Sequence, residues 1–238
     1  MKKLNEKTIS RLLIVSVIIN VLVIGYVVNR KIRMYKEREA KIKIVANLQP
    51  DKVVYYLKRN EVFEKLPKTA NEIIMVGTSL THNFEWHEMF RDVDIINRGI
   101  TGEITKGVLQ RLNEITGRKP LKIFIEVGIN DISKGFQLDA VYDNYSKIIQ
   151  TIKQKCPLTR VYIQSVLPCR YEWNDIITGF NQHIKDLCLR NGLTYIDLYS
   201  KFVSGQKLNP EYDCGDNVHL SGNGYILWCS LIRPYIYE

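Results

Sequence analysis

The sequence predicts a parallel α/β sheet packed between helices and preceded by one membrane-spanning helix. Short apolar segments alternate with stretches of helical spacing along residues 70–235, which is the pattern of successive β-α-β units. Polar residues and glycines follow several of these segments, as they do at the ligand-binding edge of parallel sheets. Residues 12–28 form an apolar run without any charge. A chain of 238 residues, 45% of them hydrophobic, suits one such domain plus an appendage and excludes wholesale disorder.

The apolar run is interpreted as an uncleaved transmembrane anchor, residues 12–28, that follows a short basic N-terminus, residues 1–11. As a helix it spans about 25 Å, slightly less than a hydrocarbon core of about 30 Å, and flanking Arg and Lys side chains could cover the difference. A cleaved signal peptide is disfavoured because no small-residue cleavage pattern follows the run. A buried soluble helix is disfavoured because the run is apolar on all faces.

The orientation of the anchor is less directly determined. Basic residues in the predicted juxtamembrane stalk, residues 29–45, favour a cytoplasmic body by the positive-inside rule. Long C-terminal domains translocate largely regardless of flanking charge, so we expect the body, residues 46–238, on the extracytoplasmic side of the cell membrane. The five cysteines contain no C-x-x-C pair and are expected to be small core residues, which by itself favours a reducing compartment.

The net charge of +9 is concentrated near the amino terminus. Residues 1–43 hold eleven Lys and Arg against three Glu, whereas the other 195 residues hold 23 basic and 22 acidic groups. A nucleic-acid-binding domain carries its basic patch on the folded surface. Because the body is almost neutral, nucleic acid is not an expected partner.

Five strands and five helices are predicted in the body. The strands are expected at Ile73–Gly77, Ile95–Asn97, Lys122–Val127, Arg160–Val166 and Thr194–Leu198. Helical spacing marks residues 46–68, Ile104–Ile115, Leu138–Lys155 and Trp173–Arg190, and Ser221 is expected to cap a last helix that runs towards Pro234. Because helices separate the strands, the sheet should be parallel.

Four loops of this sheet carry residues suited to ester chemistry. The loops are Gly77–Thr81, Asn97–Glu103, Gly128–Asp131 and Asp216–His219. Ser79 supplies a hydroxyl nucleophile at a strand-to-loop turn, and His219 supplies an imidazole that could act as its base. Asp216, three residues before His219, could fix the tautomer of the imidazole. The backbone N–H groups of Ser79 and Gly102 and the side-chain amide of Asn130 are candidate donors to an oxyanion.

These four blocks, in this order, resemble those of the SGNH (or GDSL) hydrolase family. Its lettered residues would be Ser79, Gly102, Asn130 and His219, with Asp216 completing the D-x-x-H element. The stretches NRGITGEITKGVLQRLNEI and KIFIEVGINDI look most like the branch of the platelet-activating factor acetylhydrolase catalytic subunits. The resemblance implies a flavodoxin-like, three-layer α/β/α domain that hydrolyses esters without metal or cofactor.

The chain departs from the family pattern at its first block, where Thr78 replaces the usual Asp. That Asp is not a triad member in the family, so we expect altered support of the turn without loss of the nucleophile. Two other chemistries are disfavoured: a Cys214 thiol nucleophile lacks an oxyanion block, and Cys214, Asp216 and His219 lack the usual spacing of metal ligands.

The function expected from the sequence is that of a membrane-anchored serine esterase. It would hydrolyse short-chain O-acyl esters, above all O-acetyl esters, of a carbohydrate or a lipid-like alcohol. No apolar lid-like insertion separates the blocks, which disfavours long-chain lipase activity. Two alternatives remain: an O-acyltransferase that uses the same acyl-enzyme, and a tethered, non-catalytic carbohydrate-binding pseudoenzyme.

Overall fold

The computed structural model describes residues 6–45 and 50–238, and the chain divides into two units, residues 1–49 and 50–238. In the first unit a helix, α1, runs over Glu6–Val45. It contains the predicted anchor and the predicted stalk. Residues 1–5 of the predicted basic N-terminus, and residues 46–49 at the predicted start of the body, lie outside the described residues.

The predicted membrane anchor is the main correction to the sequence analysis. No helix among the described residues has both the length and the apolar character needed to cross a membrane. The charge-free run covers about 25 Å of helix axis, less than a core of about 30 Å, and α1 continues from it directly into Arg30 and Lys31. The predictions of a transmembrane helix at residues 12–28 and of an extracytoplasmic, membrane-attached body are therefore wrong.

The second unit alternates strands and helices. Its strands are β1 (Ile73–Gly77), β2 (Ile95–Gly99), β3 (Lys122–Glu126), β4 (Arg160–Gln164), β5 (Thr194–Ile196), β6 (Val203–Ser204) and β7 (Lys207–Leu208). Its helices are α2 (Pro50–Lys65), α3 (Ser79–His82), α4 (Trp86–Met89), α5 (Thr105–Thr116), α6 (Ile129–Ser133), α7 (Leu138–Lys155), α8 (Asn174–Asn191), α9 (Tyr199–Phe202) and α10 (Gly222–Tyr237).

Five of the strands form one parallel sheet in the order β2-β1-β3-β4-β5, which confirms the predicted sheet. The chain runs from β1 to β2 on one side and then crosses to β3 on the other. Such a reversal of strand order opens a crevice beyond the carboxyl ends of the strands. The register places Gly77 at the end of β1 between Gly99 of β2 and Glu126 of β3.

Helices cover both faces of the sheet, so the fold is the three-layer α/β/α arrangement. Alternate residues of β3 point to opposite faces: Ile123 and Ile125 join the core under α5, α7 and α8, and Phe124 joins the core under α4 and α10. Both faces are buried, which explains why the strands read as continuous apolar runs in the sequence.

The helix ends follow from local sequence. Pro50 occupies the first position of α2, where its missing N–H costs no hydrogen bond. The hydroxyl of Ser221 accepts from the backbone N–H of Gly224, which confirms the predicted cap of the last helix. Gly192 ends α8 in a left-handed conformation, with φ of 65°.

Candidate active site

Two glycines let the chain turn sharply from β1 into α3. A Cβ on Gly77 would lie 2.0 Å from Thr81 Oγ1 and 2.7 Å from the carbonyl oxygen of Glu126. A Cβ on Gly99 would lie 2.3 Å from the backbone nitrogen of His82. Because both residues are glycines and carry no side chain, α3 can pack directly against the strand ends. Ser79, its first residue, is thereby placed at the crevice.

The structure brings Ser79 and His219 together across 140 positions of sequence. Ser79 Oγ lies 2.9 Å from His219 Nε2, within hydrogen-bonding distance. The hydroxyl of Tyr225 in α10 donates to the carbonyl of Leu80 in α3 at 2.9 Å, which ties the two helices together beside this contact.

Asp216 lies on the other side of the imidazole. One carboxylate oxygen, Oδ2, is 2.6 Å from His219 Nδ1, and Oδ1 accepts from the backbone N–H groups of Val218 and His219. Burial acts to raise the pKa of Asp216, but these hydrogen bonds outweigh it and hold the pKa at about 2. Asp216 is therefore an anion throughout the neutral range, and its charge favours a proton on Nδ1.

The predicted oxyanion donors lie on neighbouring loops. Gly102 has φ of 78°, a left-handed conformation that favours glycine. Asn130, in the first turn of α6, donates one amide N–H to the carbonyl oxygen of Glu103 at 2.9 Å. This bond joins the loop after β3 to the loop that carries Gly102.

Cys214 is the one exposed cysteine among the five, and it lies close to Asp216. Donor atoms of Asp213, Cys214 and Asp216 lie within 4.8 Å of one another. Exposed acidic groups often cluster in this way without an ion. Both ring nitrogens of His219 already face Asp216 and Ser79, so the imidazole does not complete a ligand set.

Residues 77–227 match the GDSL-like Lipase/Acylhydrolase family. The chain belongs to this family. The match confirms the predicted resemblance and spans every predicted site residue. As a family member the protein is an ester-hydrolysing enzyme.

Several known proteins are similar to this chain in sequence or in fold. The chain is 29% identical over 177 residues to platelet-activating factor acetylhydrolase IB subunit alpha1 of Pongo abelii, covering 69% of this chain and 75% of that protein. The fold is similar to that of a GDSL-like lipase from Bacteroides thetaiotaomicron, with a TM-score of 0.68 and 23% identity over 76% of this chain and 97% of that one. A lipase/acylhydrolase from Enterococcus faecalis has a TM-score of 0.60 and 22% identity over 70% and 95% of the two chains.

Thr78, which stands where the family usually has Asp, is fully buried. Among the described residues its hydroxyl has no hydrogen-bond partner. The position before Ser79 therefore carries a neutral group in this chain. Tight packing at Gly77 and Gly99 supports the turn in this member.

A buried ion pair supports the loop of Gly102. Arg111 in α5 binds both carboxylate oxygens of Glu103, at 2.7 and 2.6 Å, and also donates to the carbonyl of Arg98 at 2.6 Å. Both side chains are almost completely buried. Since Glu103 also accepts from Asn130, the pair positions two candidate oxyanion donors together. Sequence reasoning missed this role because the partners lie eight positions apart on different elements.

A second set of hydrogen bonds joins the segments that follow β2 and β3. Asp131 in α6 accepts from the backbone N–H and the hydroxyl of Thr105 at the start of α5. Burial, partly opposed by these bonds, raises the pKa of Asp131 to about 6. The carboxylate of Asp131 therefore satisfies the first backbone N–H of the neighbouring helix α5.

Glu126 is a further residue that sequence reasoning missed. It ends β3 next to Gly77, is fully buried, and has no hydrogen-bond partner for either carboxyl oxygen among the described residues. Burial raises the pKa of Glu126 to about 8, so the neutral acid predominates at pH 7. Its signal in the sequence was an acid inside the apolar strand KIFIEV.

Removing the charge of Glu103 should lower kcat more than removing the charge of a glutamate in another buried ion pair. We expect Glu103→Gln to lower kcat by at least about tenfold, because the loop that carries Gly102 loses its anchor. Glu72→Gln is the matched control, since Glu72 forms a similarly buried pair with Arg118, at 2.6 Å, at the opposite end of β1. Each change should cost about 3–5 kcal/mol of unfolding free energy. Equal kcat in the two variants, assayed well below their melting temperatures, would contradict this role of Glu103.

Glu126→Gln should alter the pH dependence of stability. The folded-state pKa is raised, so the folded protein binds more protons than the unfolded chain between about pH 4.5 and 8, and stability falls as pH rises through this window. Glutamine mimics the neutral acid, and the variant should therefore match wild type at pH 5 and exceed it at pH 8 by a few kcal/mol at most. Urea unfolding at both pH values measures this. Glu61→Gln, at an exposed carboxyl, is the control and should show no such divergence.

Proposed function

We propose that the protein is a serine esterase that hydrolyses short-chain O-acyl esters through a Ser79, His219 and Asp216 triad. The continuous chain of contacts, 2.9 Å from Ser79 Oγ to His219 Nε2 and 2.6 Å from His219 Nδ1 to Asp216 Oδ2, is the observation that carries the proposal. A hydroxyl needs an adjacent base to become a nucleophile at neutral pH, and the base needs an orienting group.

In the first step His219 Nε2 takes the proton of Ser79 Oγ as that oxygen attacks the ester carbonyl carbon. The C=O π electrons move onto the carbonyl oxygen, giving a tetrahedral oxyanion. Asp216 remains ionised and stabilises the imidazolium through Nδ1–H. The imidazolium then returns its proton to the departing alcohol, which leaves an acyl group on Ser79.

Three N–H groups are proposed to bind the oxyanion: the backbone N–H groups of Ser79 and Gly102 and the amide of Asn130. An amide NH₂ has two N–H donors. One N–H of Asn130 donates a hydrogen bond to the carbonyl oxygen of Glu103, and this bond orients the other N–H. Loss of one such donor lowers kcat by roughly 10²–10³ in other acyl-transfer enzymes.

In the second step water, activated by the same histidine, hydrolyses the acyl-enzyme. We propose acetyl as the acyl group and a carbohydrate or lipid-like molecule as the alcohol, with support from the relative named as an acetylhydrolase. Transfer of the acyl group to another alcohol would need only that the acceptor replace water. Product analysis with a competing sugar or glycerol acceptor distinguishes the two outcomes.

Ser79→Ala should abolish turnover of p-nitrophenyl esters, lowering kcat by at least about 10³-fold, because the acyl-enzyme cannot form. Wild type should favour acetate over octanoate in a chain-length series and should be labelled by a fluorophosphonate. Ser230→Ala, at an exposed hydroxyl on α10, should behave as wild type in both assays. Unchanged turnover in Ser79→Ala would reject the mechanism, and an unlabelled, inactive wild type would favour the carbohydrate-binding pseudoenzyme.

The pH profile of kcat/KM should fall on its acid side as an imidazole takes up a proton and can no longer act as a base. Asp216, with a pKa of about 2, contributes no acid limb above pH 4. Asp216→Asn should lower kcat by roughly 10³–10⁴, because the amide no longer holds the required tautomer. Measurement from pH 4 to 9 tests this; a flat wild-type profile from pH 5 to 8 counts against the histidine base.

A further inference from the structure

Gly102, whose backbone N–H is one of the proposed oxyanion donors, lies inside a tight turn after β2. The backbone N–H of Glu103 donates to the carbonyl of Ile100 at 3.1 Å and closes a four-residue β-turn with Gly102 in its third position. A φ of 78° at this position is typical of a type II turn. The N–H of Gly102 belongs to the middle peptide of the turn.

The middle peptide of a β-turn makes no hydrogen bond within the turn. Type I and type II turns differ mainly by a flip of this peptide, and a flip would reverse the direction of the Gly102 N–H. Glycine resists such a flip less than other residues do, because it adopts positive and negative φ about equally well. Stabilisation of an oxyanion requires a donor with a fixed direction. The turn therefore depends on contacts from outside it.

Helix α6 and the residue after it supply two of these contacts, to successive carbonyls of the turn. The amide of Asn130 donates to the carbonyl of Glu103 at 2.9 Å. Lys134 directly follows α6, and its Nζ donates to the carbonyl of Gly102 at 3.1 Å. The peptide that joins Gly102 to Glu103 is consequently hydrogen-bonded through both its carbonyl and its N–H.

Lys134 also brings a positive charge to this edge of the sheet. The pKa of Asp131, which burial raises and hydrogen bonds from Thr105 lower, is lowered further by the charge of Lys134. The ammonium therefore acts electrostatically on groups of the two loops, although the side chain itself is exposed. A positive charge near a developing oxyanion stabilises it, and salt weakens this stabilisation by screening.

We propose that Lys134 is a positioning residue for oxyanion stabilisation. Its ammonium holds the carbonyl of Gly102, which keeps the adjacent middle peptide from flipping, and its charge favours the negative oxygen of the tetrahedral intermediate. The inference rests on the proposed esterase function and adds to it a residue that acts through Gly102. The pair of Arg111 and Glu103 holds the same loop by a buried contact, whereas the contribution of the exposed Lys134 should depend on salt.

Kinetics of Lys134 variants test this role. Lys134→Gln should lower kcat for p-nitrophenyl acetate about fivefold and leave KM within about twofold of wild type, because the lost interaction acts on the transition state. Lys134→Arg keeps the charge and a donor and should restore kcat to within about twofold of wild type. Lys153→Gln is the matched control and should retain the wild-type kcat. Lys153 is also exposed, and its Nζ donates to the carbonyl of Asn191, at the end of α8, at 3.0 Å.

Salt separates an electrostatic role from a purely structural one. The Debye length falls from about 30 Å at about 0.01 M ionic strength to about 3 Å at about 1 M, so the kcat deficit of Lys134→Gln should shrink from about fivefold to about twofold over this range. Taking the ratio of the variant to wild type at each ionic strength removes any general effect of salt on the enzyme. A loosened loop without a charge effect would give the same deficit at both ionic strengths.

Phenylboronic acid provides a readout that needs no turnover. Its boron accepts an electron pair from Ser79 Oγ while the hydroxyl proton passes to His219, which gives a tetrahedral, anionic adduct similar to the proposed intermediate. The Kd from calorimetric titration should rise about fivefold in Lys134→Gln and stay at the wild-type value in Lys153→Gln.

Three results would overturn the role of Lys134: wild-type kcat and boronate Kd in Lys134→Gln, an equal loss in Lys153→Gln, or a kcat deficit that neither high salt nor Lys134→Arg reduces. The first result, with ester hydrolysis by every variant, would leave the esterase function supported. Boronate binding that depends on Lys134 without hydrolysis of the ester would reject the esterase function and support the effect of Lys134 on a bound anion. A wild type that neither hydrolyses the ester nor binds the boronate would overturn both.

Discussion

The site depends on three neighbouring parallel strands that end in register with one another. Gly77, Gly99 and Glu126 lie side by side in the register, and the two glycines allow α3 to start immediately beyond them. This contact places the Ser79 hydroxyl where a side chain from the far end of the chain reaches it. A larger residue at either glycine would move α3 and separate Ser79 from His219, although neither glycine takes part in the chemistry.

Backbone contacts within its own loop fix the position of His219. Its carbonyl accepts from the backbone N–H of Cys214, and Asp213 forms a β-bridge with Leu220, so the loop folds back on itself around the histidine. The cap at Ser221 then starts α10, whose Trp228 donates to Gln164 of β4 at 2.6 Å. The imidazole is therefore positioned by backbone and core contacts, which suits the proposed role of His219 as a base that stays aligned through two proton transfers.

Behind the proposed oxyanion donors, Gly102 and Asn130, lies a group of buried charged side chains. The bonds from Arg111 to Glu103, from Asn130 to Glu103 and from Thr105 to Asp131 join the loops after β2 and β3. Buried ion pairs contribute little net stability, but breaking one leaves an uncompensated charge, which makes the arrangement specific. A rigid backbone at Gly102 and Asn130 is what stabilisation of an oxyanion requires.

The sequence predicted the sheet well because both of its faces are buried, so that each strand is a short apolar run between helical periods. The long helices α7 and α8 and the Ser221 cap were located within a residue or two. The short helices α3, α4, α6 and α9 were not foreseen, since a single turn carries no periodicity. The anchor at residues 12–28 was wrongly predicted from a run that was already shorter than a bilayer core.

The residues of the candidate site likewise fall into those that the sequence predicts and those that it does not. Residues that the proposed chemistry requires, such as Ser79 and His219, stand out by their type and by the motifs around them. A supporting residue such as Arg111 does not, because its role arises from a contact between two different elements. Glu126 lies between the two cases: an acid in an apolar strand is visible in the sequence, but its neutral state follows only from complete burial.

A crystal structure of the wild-type protein after reaction with an alkyl fluorophosphonate tests the central claim most directly. The account predicts a covalent bond from Ser79 Oγ to phosphorus, with His219 Nε2 still within hydrogen-bonding reach of the adduct. The phosphoryl oxygen should lie about 2.7–3.1 Å from the backbone nitrogens of Ser79 and Gly102 and from the amide nitrogen of Asn130. An adduct on another residue, or a phosphoryl oxygen that points away from all three donors, would contradict it.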